Sequence, residues 1–260
     1  MAGIELLKTG PLSAAIKQVA DGVREKPADL AARTFYFELL CVNGDLDRAA
    51  KQLDVLGAAN PELGVGIYLG ALRAERERRA FFHGGPRPRM LGESVHASAH
   101  LEAVEHYAAG NFPAAAKLLQ DSAEERASLR ATLNGNQVTG ICDSSDLLGP
   151  FLEVVMDGHY AWIPWGDIRS LSLPGPKYLR DTVWLPVSLE LASGGHGEAL
   201  VFSLYVDSQL QADELKLGHE TIWLTDPMEF TVGYGQKVIA TDQADYPLLE
   251  IRMLEVEPCQ

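Results

Sequence analysis

The sequence is poor in cysteine and has no long apolar run. Its three cysteines, Cys41, Cys142 and Cys259, are too few and too scattered for a disulfide framework or a zinc site. They indicate reduced thiols in a reducing compartment. No run approaches the roughly 18 apolar residues of a membrane span, and residues 1–5 lack the basic start of a secretory signal. We therefore expect a soluble, cytoplasmic protein.

Basic residues are scarce only in the second half of the chain. Residues 1–136 hold 16 basic and 17 acidic residues, whereas residues 137–260 hold 6 basic and 19 acidic ones. Nearly all of the formal net charge of -14 therefore belongs to the second half. Such an acidic surface repels phosphate groups, which argues against nucleic acid and against anionic membrane surfaces as partners.

The first half repeats with a period of 34 residues, which is the period of tetratricopeptide repeats. Four pairs of identical residues have this spacing: Gly10 and Gly44, Leu12 and Leu46, Ala15 and Ala49, Pro27 and Pro61. In such repeats glycine permits the tight turn between two antiparallel helices. Gly110 begins a third, degenerate copy, with residues 62–92 as an irregular insert. Helices are predicted at residues 2–9, 12–25, 28–42, 46–58, 62–80, 93–108 and 112–131.

From about residue 137 the sequence alternates between apolar and polar residues, as strands do. Residues 151–156 and 159–164 flank Asp157-Gly158, the pair that a type I′ hairpin turn favours. A second hairpin is predicted from residues 182–191 and 198–206. Further strands are predicted at residues 168–173, 220–225, 228–232, 237–241 and 247–256.

These patterns predict an α+β chain of two domains. Residues 1–136 would form tetratricopeptide-like helical repeats, and residues 137–260 would form an acidic, mainly antiparallel β-rich domain. Stacked helical pairs make a concave surface that suits a peptide or helix. An exposed strand edge of the β-rich domain is the alternative docking surface.

Candidate catalytic groups are few. Glu93, His96 and His100 fall on one face of a predicted helix, a spacing that permits metal ligation. No His-Glu-x-x-His order supplies a general base, so a solvated flank of a packed helix is the favoured interpretation. Asp143 and Asp146 fit as loop or cap residues. We therefore predict that the chain is not an enzyme and holds no cofactor. The alternative is a metal-dependent enzyme that uses Glu93, His96 and His100.

An arginine-rich segment stands out in this acidic protein. It contains Arg73, Arg76, Arg78, Arg79, Arg87 and Arg89. A solvated helix end is the usual meaning of such a run. The alternative is that these guanidinium groups pair with an acidic partner or dock against the acidic second domain.

Several segments resemble the ImpE/TagJ (SciE-type) family, whose members are accessory proteins of bacterial type VI secretion systems. They are residues 147–153 (LLGPFLE), 158–164 (GHYAWIP), 179–186 (LRDTVWLP), 35–44 (FYFELLCVNG) and 240–242 (ATD). The resemblance implies a cytoplasmic, non-enzymatic adaptor. It also implies that the partner is the small subunit of the contractile sheath, and that this contact serves sheath handling or recycling by a ClpV-type unfoldase.

The residue patterns and the family resemblance together suggest candidate partner-binding residues. Phe35, Tyr36 and Phe37 would bury apolar surface near the helical groove, and Arg73, Arg76 and Arg79 would orient the partner. The partner segment would be a helix or a terminal stretch of the sheath subunit. A general tetratricopeptide scaffold or chaperone for another cytoplasmic partner is the alternative function.

Overall fold

The structure is a computed structural model that describes residue 7 and residues 10–59, 64–125, 128–225 and 227–257. The helix predicted at residues 2–9 therefore lies almost entirely outside the described residues, and so does Cys259. Both remain predictions.

The first half is helical, as predicted. Its helices pack through apolar faces that repeat every three or four residues, as in α1, which buries Leu12, Ala15, Ile16, Ala20 and Val23. The helices are α1 (Leu12–Glu25), α2 (Leu30–Val42), α3 (Leu46–Ala59), α4 (Val65–Phe82), α5 (Ala97–Ala108) and α6 (Phe112–Glu125). A further short helix, α7 (Asp213–Lys216), belongs to the second half.

The glycine turns that the repeat predicts are confirmed at two positions. After α2, Gly44 has a φ of 75°, its N–H donates to the Cys41 carbonyl at 3.0 Å, and the N–H of Asp45 donates to the Leu40 carbonyl at 2.9 Å. Gly110 ends α5 with the same pair of bonds. This is the Schellman arrangement, which needs a left-handed residue and therefore favours glycine.

The helix predicted at residues 62–80 is confirmed as α4, a regular helix of 18 residues, so most of the segment interpreted as an irregular insert belongs to the helical layer. The helix predicted at residues 112–131 is present as α6 but does not extend to residue 131. The reason is that Arg130–Leu133 alternates between exposed and buried positions and joins the sheet as a strand.

The second half is built on a nine-stranded sheet in the order β1-β6-β5-β9-β8-β7-β14-β2-β3. Its one parallel pair among the described residues is β1 with β6. The strands are β1 (Arg89–Met90), β2 (Arg130–Leu133), β3 (Asn136–Thr139), β4 (Cys142–Asp143), β5 (Phe151–Met156), β6 (His159–Pro164), β7 (Ile168–Ser172), β8 (Trp184–Leu191), β9 (His196–Phe202), β10 (Thr221–Leu224), β11 (Val232–Gly235), β12 (Val238–Ala240), β13 (Asp245–Pro247) and β14 (Met253–Val256). Strands β13, β12 and β4 form a second sheet, and β10 pairs with β11.

Both predicted hairpins are confirmed. Strands β5 and β6 pair from Phe151 and Pro164 to Met156 and His159, and β8 pairs with β9. The strand predicted at residues 228–232 is wrong, because the chain there forms a turn and β11 begins at Val232. The strand predicted at residues 247–256 shortens to β14, preceded by a 3-10 turn at Leu248–Glu250.

The helices cover one face of the large sheet. Alternate residues of β8 and β9 divide between two apolar cores: Trp184 and Phe202 face the helices, whereas Leu185 and Val201 face the opposite core. The predicted domain division at residues 136 and 137 remains a prediction. Strand β3 spans this division, and β2, which precedes it, pairs with β3.

Helix α4 and the β5–β6 turn meet backbone to backbone. Asp157 and Gly158 have φ angles of 52° and 70°, as a type I′ turn requires. A Cβ atom added at Gly70 of α4 would lie 2.7 Å from the Cα atom of Gly158. A side chain at position 70 would therefore force the helix away from the hairpin.

We predict opposite effects for two glycine substitutions in α4. Gly70→Ala should lower the free energy of unfolding by about 1–2 kcal/mol, because overpacking against backbone outweighs the gain in helix propensity. Gly66→Ala is the matched control, since no atom lies within 4 Å of its added Cβ, and it should raise stability by up to about 1 kcal/mol. Denaturant unfolding checks both; a Gly70→Ala protein as stable as Gly66→Ala would contradict the backbone contact.

Candidate functional site

Four buried charged side chains join the helices to the sheet. Arg78 of α4 donates to both carboxylate oxygens of Glu153 on β5, at 2.8 Å each. Lys237 reaches Glu153 at 2.8 Å and Asp143 at 3.0 Å. None of the four side chains is more than 3% exposed. Arg78, Glu153, Lys237 and Asp143 form what we term the buried charge cluster, with two positive and two negative groups.

Further hydrogen bonds satisfy the buried charge cluster. The hydroxyl of Tyr160 donates to Glu153, and the hydroxyl of Tyr205 donates to Asp143 at 2.9 Å. The Arg78 guanidinium also donates to the Leu204 carbonyl at 2.8 Å. A buried ion pair repays its desolvation only when its remaining hydrogen-bonding groups are also paired, as they are here.

The pKa values of the two carboxylates in the cluster are shifted in opposite directions. Burial by itself would raise the pKa of Glu153, but Arg78 and Lys237 outweigh burial and hold that pKa at about 2. At Asp143 burial outweighs Lys237, so the pKa of Asp143 is raised. Burial and the neighbouring carboxylates raise the pKa of Tyr160 and of Tyr205 well above the ordinary range, which keeps both as neutral donors.

The arginine-rich segment divides between the two halves of the protein. Arg78 enters the buried charge cluster, and Arg73 donates to the Gly158 carbonyl at 2.7 Å, so both dock onto the sheet half. Arg76 is half-exposed and pairs with Asp47 at 2.9 Å. Docking against the acidic half therefore holds for Arg73 and Arg78, and a solvated helix surface describes Arg76.

Two other arginines of this segment pair within the helical half. Arg79 donates to Glu75 at 2.7 Å and to the Gly44 carbonyl at 3.1 Å. The exposed guanidinium of Arg87 forms a two-pronged bond with Glu105, at 2.7 and 2.8 Å. The segment is thus largely neutralised by its own surroundings.

The aromatic triplet of α2 lies mostly inside the core. Phe37 is 2% exposed, and its ring meets the Tyr68 ring edge-on at 5.8 Å between centroids. Tyr36 is also buried and bonds to Arg48. Phe35 is half-buried against the same core. A role for these three residues in partner binding remains a prediction.

The segment LRDTVWLP contains a second link between the halves. The Arg180 guanidinium pairs with Glu38 of α2 and lies over the rings of Tyr178 and Tyr68, at 4.1 and 4.8 Å from their centroids. Asp181 accepts hydrogen bonds from the N–H groups of Lys177 and Tyr178, at 2.8 and 2.9 Å. The side chains of Arg180 and Asp181 in this segment thus make structural contacts.

The structure does not bring Glu93, His96 and His100 together as metal ligands. His100 is buried, with Nδ1 3.1 Å from the Leu147 carbonyl and Nε2 3.1 Å from the Ser122 hydroxyl. His96 contacts the same hydroxyl at 3.0 Å. Glu93 lies beside Asp167 instead. Across the described part of the chain, no group of three histidine, cysteine or acidic side chains is placed to hold a metal ion.

A groove of about 630 Å³ opens between the start of α4 and the sheet. We term it the α4 groove. The helix contributes Ile67 and Leu69, which are 61% and 38% exposed, and Arg73 at the rim. The sheet contributes Val155 and Leu200. The groove is therefore an accessible and mainly apolar surface.

The α4 groove lies on the helix-facing side of the sheet. Val155 and Pro186 are both paired with Leu200, so the three side chains share the helix-facing side of the sheet. Two residues further along, Trp184 and Phe202 are buried beneath the helices. The apolar helix-facing side of the sheet thus continues into the floor of the groove, where Val155 and Leu200 are 5% and 6% exposed.

Sequence reasoning missed the groove and the buried charge cluster. Glu153 interrupts an apolar run within β5, which was a visible signal for a buried charge with a partner. The interpretation of Asp143 as a loop or cap residue is incomplete, because its carboxylate is also a buried partner of Lys237. Among the described helices, none combines the length and the hydropathy that crossing a bilayer requires.

Two known proteins resemble this chain, one in sequence and one in fold. The family model described as ImpE protein matches residues 135–255. The type VI secretion system accessory component TagJ of Pseudomonas aeruginosa is 34% identical over 258 residues, which are 98% of this chain and 90% of that protein. The crystal structure of protein VPA1032 from Vibrio parahaemolyticus has a TM-score of 0.90 at 24% identity, covering 100% of this chain and 98% of that one. This likeness confirms the α+β fold.

We predict that Glu153→Gln lowers the free energy of unfolding by about 3–5 kcal/mol, because it leaves Arg78 and Lys237 buried without their shared carboxylate. Glu105→Gln is the matched control. It removes an equally well-formed but exposed pair with Arg87 and should cost no more than about 1 kcal/mol. Equal costs in denaturant unfolding would contradict the role given to the cluster.

The same substitution should change the pH dependence of stability. The pKa of Glu153 is held at about 2, below its ordinary value of 4.5. The stability that this group contributes is therefore complete above pH 4.5 and is lost as the pH falls from 4.5 towards 2. Asp143, with its raised pKa, acts in the opposite direction and is retained in the variant. Glu153→Gln should flatten the acid loss, and an unchanged slope would count against the assignment.

Proposed function

The chain belongs to the ImpE/TagJ family, and from that membership we propose that it is an accessory component of a bacterial type VI secretion system. It acts as a non-enzymatic adaptor in the cytoplasm. Its partner is the small subunit of the contractile sheath, and the contact serves sheath handling or recycling by a ClpV-type unfoldase. The partner is protein, with no role for nucleic acid or a membrane.

The presence of the α4 groove is the main structural support for this proposal. It places accessible apolar side chains of α4 beside Val155 and Leu200, on the side of the sheet that packs on helices. An amphipathic helix presents apolar side chains at intervals of three and four residues, and this spacing suits a groove between a helix and a sheet. A helix of the sheath subunit would extend the helical layer by one member.

The rim of the α4 groove would set the orientation of that helix. Arg73 stands on one side, and Asp157 and Glu198 line the groove as well. Charges at the rim of an interface chiefly favour one register and speed association. Of the six predicted partner-binding residues, Arg73 lines the groove directly, and Phe37 supports Tyr68, another groove residue, from behind.

We predict that Ile67→Asp weakens binding of the sheath small subunit at least tenfold, which corresponds to about 1.4 kcal/mol. Ile67 is 61% exposed in the first turn of α4, where an aspartate is compatible with the helix dipole. The lost affinity would therefore come from the groove and not from misfolding. Isothermal titration calorimetry with the purified sheath subunit measures the effect.

Val55→Asp is the matched control for this experiment. Val55 is 44% exposed on α3 and does not line the α4 groove, so its variant should bind as the unchanged chain does. Equal affinity of the Ile67→Asp and Val55→Asp proteins would overturn the groove assignment. Absence of any binding by the unchanged chain would overturn the sheath partner, and capture of unrelated cytoplasmic proteins through the groove would favour a general scaffold.

A further inference from the structure

Strands β10 and β11 form a ribbon apart from the large sheet. They pair antiparallel over four residues, with Trp223 opposite Gly233. In the described part of the chain no other strand pairs with β10. One side of this strand, which we term the β10 edge, therefore has no neighbour there.

Backbone groups on β10 are aimed at this open side. The N–H of Gly235 donates to the Ser208 hydroxyl at 2.8 Å, and its carbonyl accepts from the N–H of Tyr205 at 2.9 Å, so neither group bonds to Thr221 opposite. Hydrogen-bonded and non-bonded pairs alternate along an antiparallel ribbon. Thr221 and Trp223 therefore both direct their N–H and carbonyl groups towards the β10 edge.

The β10 edge is apolar and lacks three of the usual forms of protection. Ile222, Trp223 and Leu224 are 39%, 39% and 45% exposed. Exposed edge strands are normally blocked by lysine, proline or a bulge, and Thr221–Leu224 has none of these. The strand is nevertheless held in place, because the Trp223 ring meets the Tyr205 ring edge-on at 5.6 Å between centroids.

The surroundings of the β10 edge are acidic. The described residues between 212 and 231 include four acidic residues, Asp213, Glu214, Glu220 and Glu229, and one lysine, Lys216, which lies 3.6 Å from Asp213. Glu220 and Glu229 are exposed just before and just after the strand region. A second copy of this chain would bring an equally acidic surface, so like charges oppose self-pairing and favour a basic segment.

We propose that the β10 edge binds an extended segment of another protein in which apolar residues alternate with lysine or arginine. Main-chain bonds to Thr221 and Trp223 would add the segment as a third strand of the ribbon. Its apolar side chains would cover Ile222 and Leu224, and its basic side chains would face the flanking carboxylates. This site shares no residue with the α4 groove, so it stands or falls apart from the sheath proposal.

Tryptophan fluorescence gives a local readout of this binding. Trp162, Trp165 and Trp184 are at most 1% exposed, whereas Trp223 is 39% exposed. The probe is a synthetic heptapeptide of alternating valine and lysine. Because side chains alternate along a strand, the valines would lie on the face of Ile222 and Leu224 and the lysines on the face of Trp223. We expect a saturable change in Trp223 fluorescence as the added strand forms beside it.

Two control peptides separate the parts of the proposal. The same heptapeptide with alternate amides N-methylated loses the main-chain donors of one edge, and a valine–glutamate heptapeptide reverses the charge. Each should bind at least tenfold more weakly. A methylated peptide that binds equally well would overturn strand addition, and a valine–glutamate peptide that binds equally well would overturn the basic partner.

Protein variants locate the site. Ile222→Lys adds positive charge to the edge and should lower the affinity for the valine–lysine peptide at least tenfold. Val55→Lys changes an exposed position of α3 and should leave this affinity unchanged. Absence of a fluorescence change at saturating peptide would overturn the proposal. Analytical ultracentrifugation gives a second contradicting result. If the unchanged chain is a dimer and Ile222→Lys dissociates it, the edge binds a second copy of this chain and the proposal is overturned.

Discussion

The carboxylate of Glu153 is the point on which the two halves of this protein depend. It lies inside the core on a strand and is shared by Arg78 from a helix and Lys237 from a later part of the chain. Buried charges of this kind tolerate little displacement, because each partner left behind would be an unpaired ion away from water. The cluster therefore fixes where α4 lies across the sheet, and the contact of Gly70 with Gly158 fixes how close it comes.

The position of α4 in turn creates the accessible surface. The helix-facing side of the sheet runs from Trp184 and Phe202 to Val155 and Leu200, which are 5% and 6% exposed and form the floor of the groove. The accessible apolar surface comes from Ile67 and Leu69 of α4. The proposed adaptor role would use this groove. The β10 edge is a separate surface with opposite requirements, since it offers main-chain bonds and negative charge.

Local patterns in the sequence predicted local structure well. The Asp157-Gly158 turn and the glycine turns at Gly44 and Gly110 were predictable because each depends on a few adjacent residues with special backbone preferences. The buried charge cluster was not predictable, because Arg78, Glu153 and Lys237 are far apart in the chain. Only the tertiary fold distinguishes a buried arginine from an exposed one in the same run. The groove was missed for the same reason, as Ile67 and Leu69 differ from core residues only in what lies opposite them.

The buried charge cluster joins helices and sheet into one cooperative unit. All four tryptophans lie between residues 162 and 223, so their fluorescence reports on the sheet half, whereas far-ultraviolet circular dichroism is dominated by the helices of the first half. Denaturant unfolding followed by both signals is the most direct test. We expect a single transition with the same midpoint and slope by both probes. Two separated transitions, with the helices melting while the tryptophans stay buried or the reverse, would contradict it.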